Sequence, residues 1–115
     1  MDKTERHNVY VKALAIYGQK AQLEMAQEEA TELALAVRRI IRKPTSESFF
    51  ELCSEIADVE IMIEQMKAMF FSSNMEHHVK KQVDFKMNRL RQRLEKEDEE
   101  SQFLKIFNNY FKTEA

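Results

Sequence analysis

Apolar residues recur at spacings of three and four along most of this chain, the period of helices that each turn one face inward. Over 17–43 the stripe is Ala26, Ala30, Leu33, Val37, Ile40 and Ile41. Arg38, Arg39, Arg42 and Lys43 close that segment, where positive charge complements the negative end of a helix dipole. Pro44 then breaks it, because proline has no N–H to donate and its ring clashes with the turn before it. Thr45 or Ser46 can cap a second helix over 47–71, with the stripe Leu52, Ile56, Val59, Ile63, Met66 and Phe70. Ser72, Ser73 and Asn74 end it, and a third helix over 75–97 carries Val79, Val83, Met87, Leu90 and Leu94. A shorter helix over 3–16, ending near Gly18, precedes all three. Beyond the acidic run 95–100, expected to be solvated or partly frayed, Phe103, Ile106, Phe107, Tyr110 and Phe111 predict a separate amphipathic tail helix over 101–112.

Composition supports the same class. The 115 residues include one glycine and one proline, too few for the turns of a sheet protein, and helix formers dominate. The expectation is an all-α protein: a single domain over 1–115, folded as an antiparallel helical bundle of three long helices with short terminal ones.

The net charge of −2 gives no general reason to expect a nucleic-acid partner. Its distribution is uneven: 47–71 holds six acids and one base, whereas 76–93 holds six bases and two acids. Cys53 is alone, which excludes a disulfide framework and a cysteine-based zinc site and fits a reducing, cytoplasmic compartment. The first residues have no apolar core of signal-peptide length, and no apolar run is long enough to span a membrane. His7, His77 and His78 have no triad-like partners in view.

The most informative pattern is a local echo. Glu29-Ala-Thr-Glu32-Leu33 in one helix is matched by Glu55-Ile-Ala-Asp58-Val59 in the next: acid, two residues, acid, then a core aliphatic. On a helical wheel the first acid of each pair falls at about −40° from the aliphatic and the second at about −100°. Folded antiparallel about Pro44, the two pairs fall on the same side of the interface, each roughly 20 Å from the break. Four like charges at one place repel one another and lose hydration, so a cation should offset them. An all-oxygen ligand set suits Mg²⁺, or Mn²⁺, better than zinc. A ferritin-like iron site would need Glu-x-x-His pairs, and no acid here precedes a histidine by three. A single acid at such an edge would be read as an ion-pair partner of a neighbouring helix, but two matched pairs at matched heights favour a cation. In the third helix Lys86, Arg93 and Arg89 share one flank of the stripe, suited either to phosphate oxygens or to the acids of the second helix.

Glu28-Glu29-x-x-Glu32, then Glu55-x-x-Asp58 after 22 intervening residues, resembles the MazG-like all-α nucleoside triphosphate pyrophosphohydrolases. The lead-in Tyr17-Gly18-Gln19-Lys20-Ala21-Gln22 and the downstream Asp84-Phe85-Lys86-Met87-Asn88-Arg89-Leu90 are also similar, so the likeness covers about 17–93. The acid motif is its specific part, being constrained on two helices; the basic segment adds little alone. The resemblance implies cleavage of a nucleoside triphosphate between the α- and β-phosphates, giving a monophosphate and pyrophosphate. It implies Mg²⁺ held by Glu29, Glu32, Glu55 and Asp58, with Glu28 beside Glu29 in the catalytic set. Lys86, Arg89 and Arg93 would bind phosphates, and Gln22 would reach the sugar or base. It also implies a homodimer or homotetramer whose subunits complete the core and the site. Two other readings stay open: a nucleotide-binding or helical interaction module of the same fold without turnover, and a helical bundle with no site.

Overall fold

The computed structural model describes residues 1–112, and every regular element among them is helical. The order is α1 (Lys3–Tyr17), α2 (Gln19–Arg42), α3 (Ser46–Met69), a 3-10 turn (Phe71–Ser73) and α4 (Met75–Lys112). The all-α expectation holds, and no helix among the described residues is long and apolar enough to cross a membrane.

Local chemistry sets the helix ends. The Asp2 carboxylate accepts from the Glu5 N–H at 2.8 Å and the Glu5 carboxylate accepts from the Asp2 N–H at 3.1 Å, a reciprocal cap that starts α1. Gly18 separates α1 from α2 at φ 85° and ψ 163°, a backbone region essentially reserved for glycine. A Cβ built there would meet nothing within 4 Å, so the requirement lies in the backbone torsions, not in space. At the next corner the Ser48 hydroxyl donates to the Lys43 carbonyl at 2.8 Å and accepts from the Thr45 N–H at 2.9 Å. The Thr45 hydroxyl in turn accepts from the Ser48 N–H at 3.1 Å. One buried serine thus ties the exit of α2 to the entry of α3 across Pro44.

Contacts divide the chain into two compact units, Met1–Met75 and the part from Glu76 onward. In the first unit α2 and α3 pack along their length, and α1 lies against α3 and α2. Their partners run in opposite directions: Gln22 meets Gln65, Glu29 meets Asp58 and Glu55, and Arg39 meets Glu51. The line of least exposure on α2 runs through Gln22, Ala26, Glu29, Leu33, Ala36 and Ile40, a three-four repeat. On α3 it runs through Ser48, Glu51, Leu52, Glu55, Asp58, Val59, Met62, Gln65 and Met66.

This corrects the expected stripes in part. Ile56 and Ile63 are each 42% exposed, and Val37 and Ile41 also face outward. The helices are rolled so that Glu29, Glu55 and Asp58 lie in the contact line itself and not at its edge. Among the described residues the only buried apolar ones are Tyr10, Ala36 and Met62, beside the buried polar Gln22, Ser48 and Gln65. Three helices of this length bury little apolar surface, so many aliphatic side chains remain exposed.

Helix α1 is fastened by a polar clasp. The Tyr10 hydroxyl donates to Glu64 Oε2, and the Arg6 guanidinium lies 2.7 Å from the same oxygen. The tyrosine hydrogen bond, with the Arg6 charge behind it, holds the Glu64 carboxyl below its usual range against the opposing effect of burial.

In the second unit the expected break is absent. α4 is continuous from Met75 to Lys112, through the acidic run 95–100 and into the aromatic tail, where two shorter helices were expected. No glycine or proline occurs between those ends, and glutamate and lysine are good helix formers even where they cannot be buried. Asn88 with Arg91, and Asp98 with Gln102, make contacts one turn apart along it.

Candidate metal centre

Glu29 on α2 and Glu55 and Asp58 on α3 each offer a carboxylate oxygen, and the three oxygens lie within 4.8 Å of one another. Glu55 and Asp58 share a face of α3 because they are one turn apart, and the antiparallel packing presents that face to Glu29. All three residues are half-buried. Among the described residues this is the one group of three or more potential ligands so arranged.

The electrostatics are those of an uncompensated cluster. Burial, then the charges of Asp58 and Glu55, then a carboxyl–carboxyl hydrogen bond to Asp58 and the charge of Glu32 together raise the Glu29 pKa above the usual range. Glu55 Oε2 is fully buried and has no hydrogen-bond partner. A buried carboxylate oxygen normally accepts at least one hydrogen bond, since leaving it bare costs about 1–3 kcal/mol or more. A divalent cation would satisfy that oxygen and remove the mutual repulsion. In an octahedral site with oxygens at about 2.1 Å, opposite ligands stand about 4.2 Å apart, so the observed spread is near the required size. The residues present therefore fit a hard cation.

The other expected site residues fall in different places. Glu32 is exposed and outside the converging trio, acting on Glu29 through its charge. Glu28 is exposed and lines a groove of about 780 Å³ with Glu24, Gln27, Glu29, Thr31 and Glu32. That volume is within the range of small-molecule sites, about 300–1,000 Å³. Gln22 does not face this groove: it is buried at 7% exposure, and its Oε1 accepts from Gln65 Nε2. Lys86, Arg89 and Arg93 lie on α4 in the second unit and are exposed, with the Arg89 guanidinium 5.9 Å from the centre of the Phe85 ring. No family model, curated protein or solved structure matches the chain.

Three contacts were not anticipated. Gln65 follows Asp58 by seven residues, and this same-face spacing could have marked it as a neighbour of the site. Arg6 and Tyr10 are four apart on α1, a spacing that presents both to one partner. The Arg39–Glu51 ion pair sits between the Pro44 corner and the acids. Besides complementing the dipole of α2, Arg39 thus reaches across the corner to the first turns of α3.

Proposed function

We propose that this chain is a cytoplasmic, Mg²⁺-dependent nucleoside triphosphate pyrophosphohydrolase of the MazG-like kind, cleaving between the α- and β-phosphates to release a monophosphate and pyrophosphate. The observation that carries this reading is the convergence of Glu29, Glu55 and Asp58, with Glu55 Oε2 buried and bare. The resemblance of the acid motif supplies the reaction class.

On this reading Glu29, Glu55 and Asp58 provide the inner oxygens, and Glu32 reaches in from the groove to complete them. Mg²⁺, or Mn²⁺, when bound, supplies polarisation of the phosphate and a more acidic water. Glu28, exposed on the groove beside Glu29, orients the attacking water and accepts its proton. Lys86, Arg89 and Arg93, exposed on α4, keep the phosphate-binding role that the resemblance implies for them, the arginines being suited to bidentate recognition of phosphate oxygens. Gln22 is left out of the substrate set because it is buried away from the groove, its Oε1 accepting from Gln65. A homodimer or homotetramer is part of the proposal, supported by the thin interior and by the exposed Leu23, Leu35, Ile56 and Ile63.

The test is pyrophosphate release from a panel of canonical and modified nucleoside triphosphates, with Mg²⁺ and with chelator. Chelator-sensitive release supports the enzyme and names its substrate. Metal-dependent nucleotide binding without product would instead assign a binding module, and neither binding nor release would remove the site.

A further inference from the structure

The acids are bracketed by two polar links. Seven residues before Glu29 stands Gln22, and seven after Asp58 stands Gln65, so both amides lie two turns, about 10 Å, along the same contact line. They are 7% and 5% exposed and joined by a hydrogen bond from Gln65 Nε2 to Gln22 Oε1, with buried Met62 between them and the acids. On the other side, toward Pro44, Arg39 pairs with Glu51.

Three carboxylates within 4.8 Å push α2 and α3 apart midway along the hairpin. The Pro44 corner restrains one end; the far end has no covalent link. Apolar contact there would be non-directional and would let the helices roll. A hydrogen bond between two side-chain amides forms only over a narrow range of separation and angle. Buried polar residues in helix seams fix register at some expense of stability.

We propose that Gln22 and Gln65 are a positioning pair, holding α2 against α3 at the separation and rotation at which Glu29, Glu55 and Asp58 converge before a cation arrives. The inference rests on reading the acids as a cation site. It predicts that stability and cation affinity move in opposite directions when the pair is made apolar.

The test uses the full chain with Gln22→Met and Gln65→Met together, which nearly preserves volume while removing the hydrogen bond. Gln22→Leu with Gln65→Leu is the second variant should the first fold poorly. Mn²⁺ is the probe, its affinity read by electron paramagnetic resonance of the free ion. Interhelix spacing is read from nitroxides at exposed positions 34 and 57 in a Cys53→Ser background. The expected result is an unchanged or higher Tm, an Mn²⁺ affinity lower by about tenfold or more, and a broader interhelix distance distribution. Unchanged affinity with an unchanged, narrow distribution overturns the proposal. If the unsubstituted chain fails to bind Mn²⁺, the cation site itself falls. The distance distribution then decides the pair alone: broadening keeps its role in holding the helices, and a narrow distribution ends it.

Discussion

The α2–α3 hairpin and α4 are both long helical segments with an apolar stripe, yet they use polar residues in opposite ways. In the hairpin, glutamines, carboxylates and an arginine–glutamate pair sit along the contact between two helices. In α4 the charges lie on exposed faces, and the Arg91–Asn88 and Gln102–Asp98 contacts join residues of adjacent turns. A polar group on a solvated helix has water as a partner and is worth little when moved. A polar group between helices must find a protein partner or a ligand, so substitution there has large consequences. The bare Glu55 oxygen belongs to the second kind.

The largest effect that would sharpen this contrast is loss of a cluster carboxylate. Glu55→Gln or Asp58→Asn should lower Mg²⁺-dependent pyrophosphate release by at least about a hundredfold with far-UV circular dichroism unchanged; activity kept by both variants would break the site. Next comes metal itself. Mg²⁺ or Mn²⁺ at a hundred times its dissociation constant should stabilise the chain by about 2.7 kcal/mol, seen as a rise in Tm reversed by chelator. No shift at millimolar metal would mean the trio takes no ion.

Two carboxylates should then show opposite pH behaviour without metal. The Glu64 pKa is depressed, so its stabilisation is present above the unfolded value, about 4.3, and is lost as pH falls through the folded value. Glu64→Ala should therefore cost about 1–2 kcal/mol at neutral pH, and the loss should fade in acid. The Glu29 pKa is raised, so its contribution is fully present below the unfolded value and lost as pH rises through the folded one. Glu29→Gln should accordingly raise the metal-free Tm at neutral pH and not at pH 4. Melting curves across pH 3–8 compare the two, and parallel profiles would refute the assignment of opposite environments.

The smallest effect concerns α4. Glu97→Gly should cost about 1 kcal/mol of helix stability and speed amide exchange over 95–100 without altering Mn²⁺ affinity. A change in affinity would tie that stretch to the site.

The helical class, the Gly18 and Pro44 corners and the approach of Glu29 to Glu55 and Asp58 follow from spacing, because a tight corner leaves two adjacent helices few ways to align. The roll of the helices does not. Ile56 and Ile63 look like core on a wheel, whereas Asp58 and Gln65 occupy the contact, because the small Ala36 and the Gln22–Gln65 bond decide which faces approach. That same roll separates Glu32 from the trio. The continuity of α4 was hidden because a polar run resembles a break, although only glycine or proline would have imposed one. Phe111 falls in the expected tail helix, but its side chain lies outside the described contacts.

Gly18 and the Glu64 clasp together have a dynamic consequence. α1 buries Tyr10 alone, is held to α3 through one carboxylate, and meets α2 at the one glycine in the chain. Few buried contacts and a solvent-reached fastening are the marks of a segment that opens independently of the rest. Amide exchange is therefore expected to be faster in α1 than in the α2–α3 hairpin, and equal protection of the two would show that they open together.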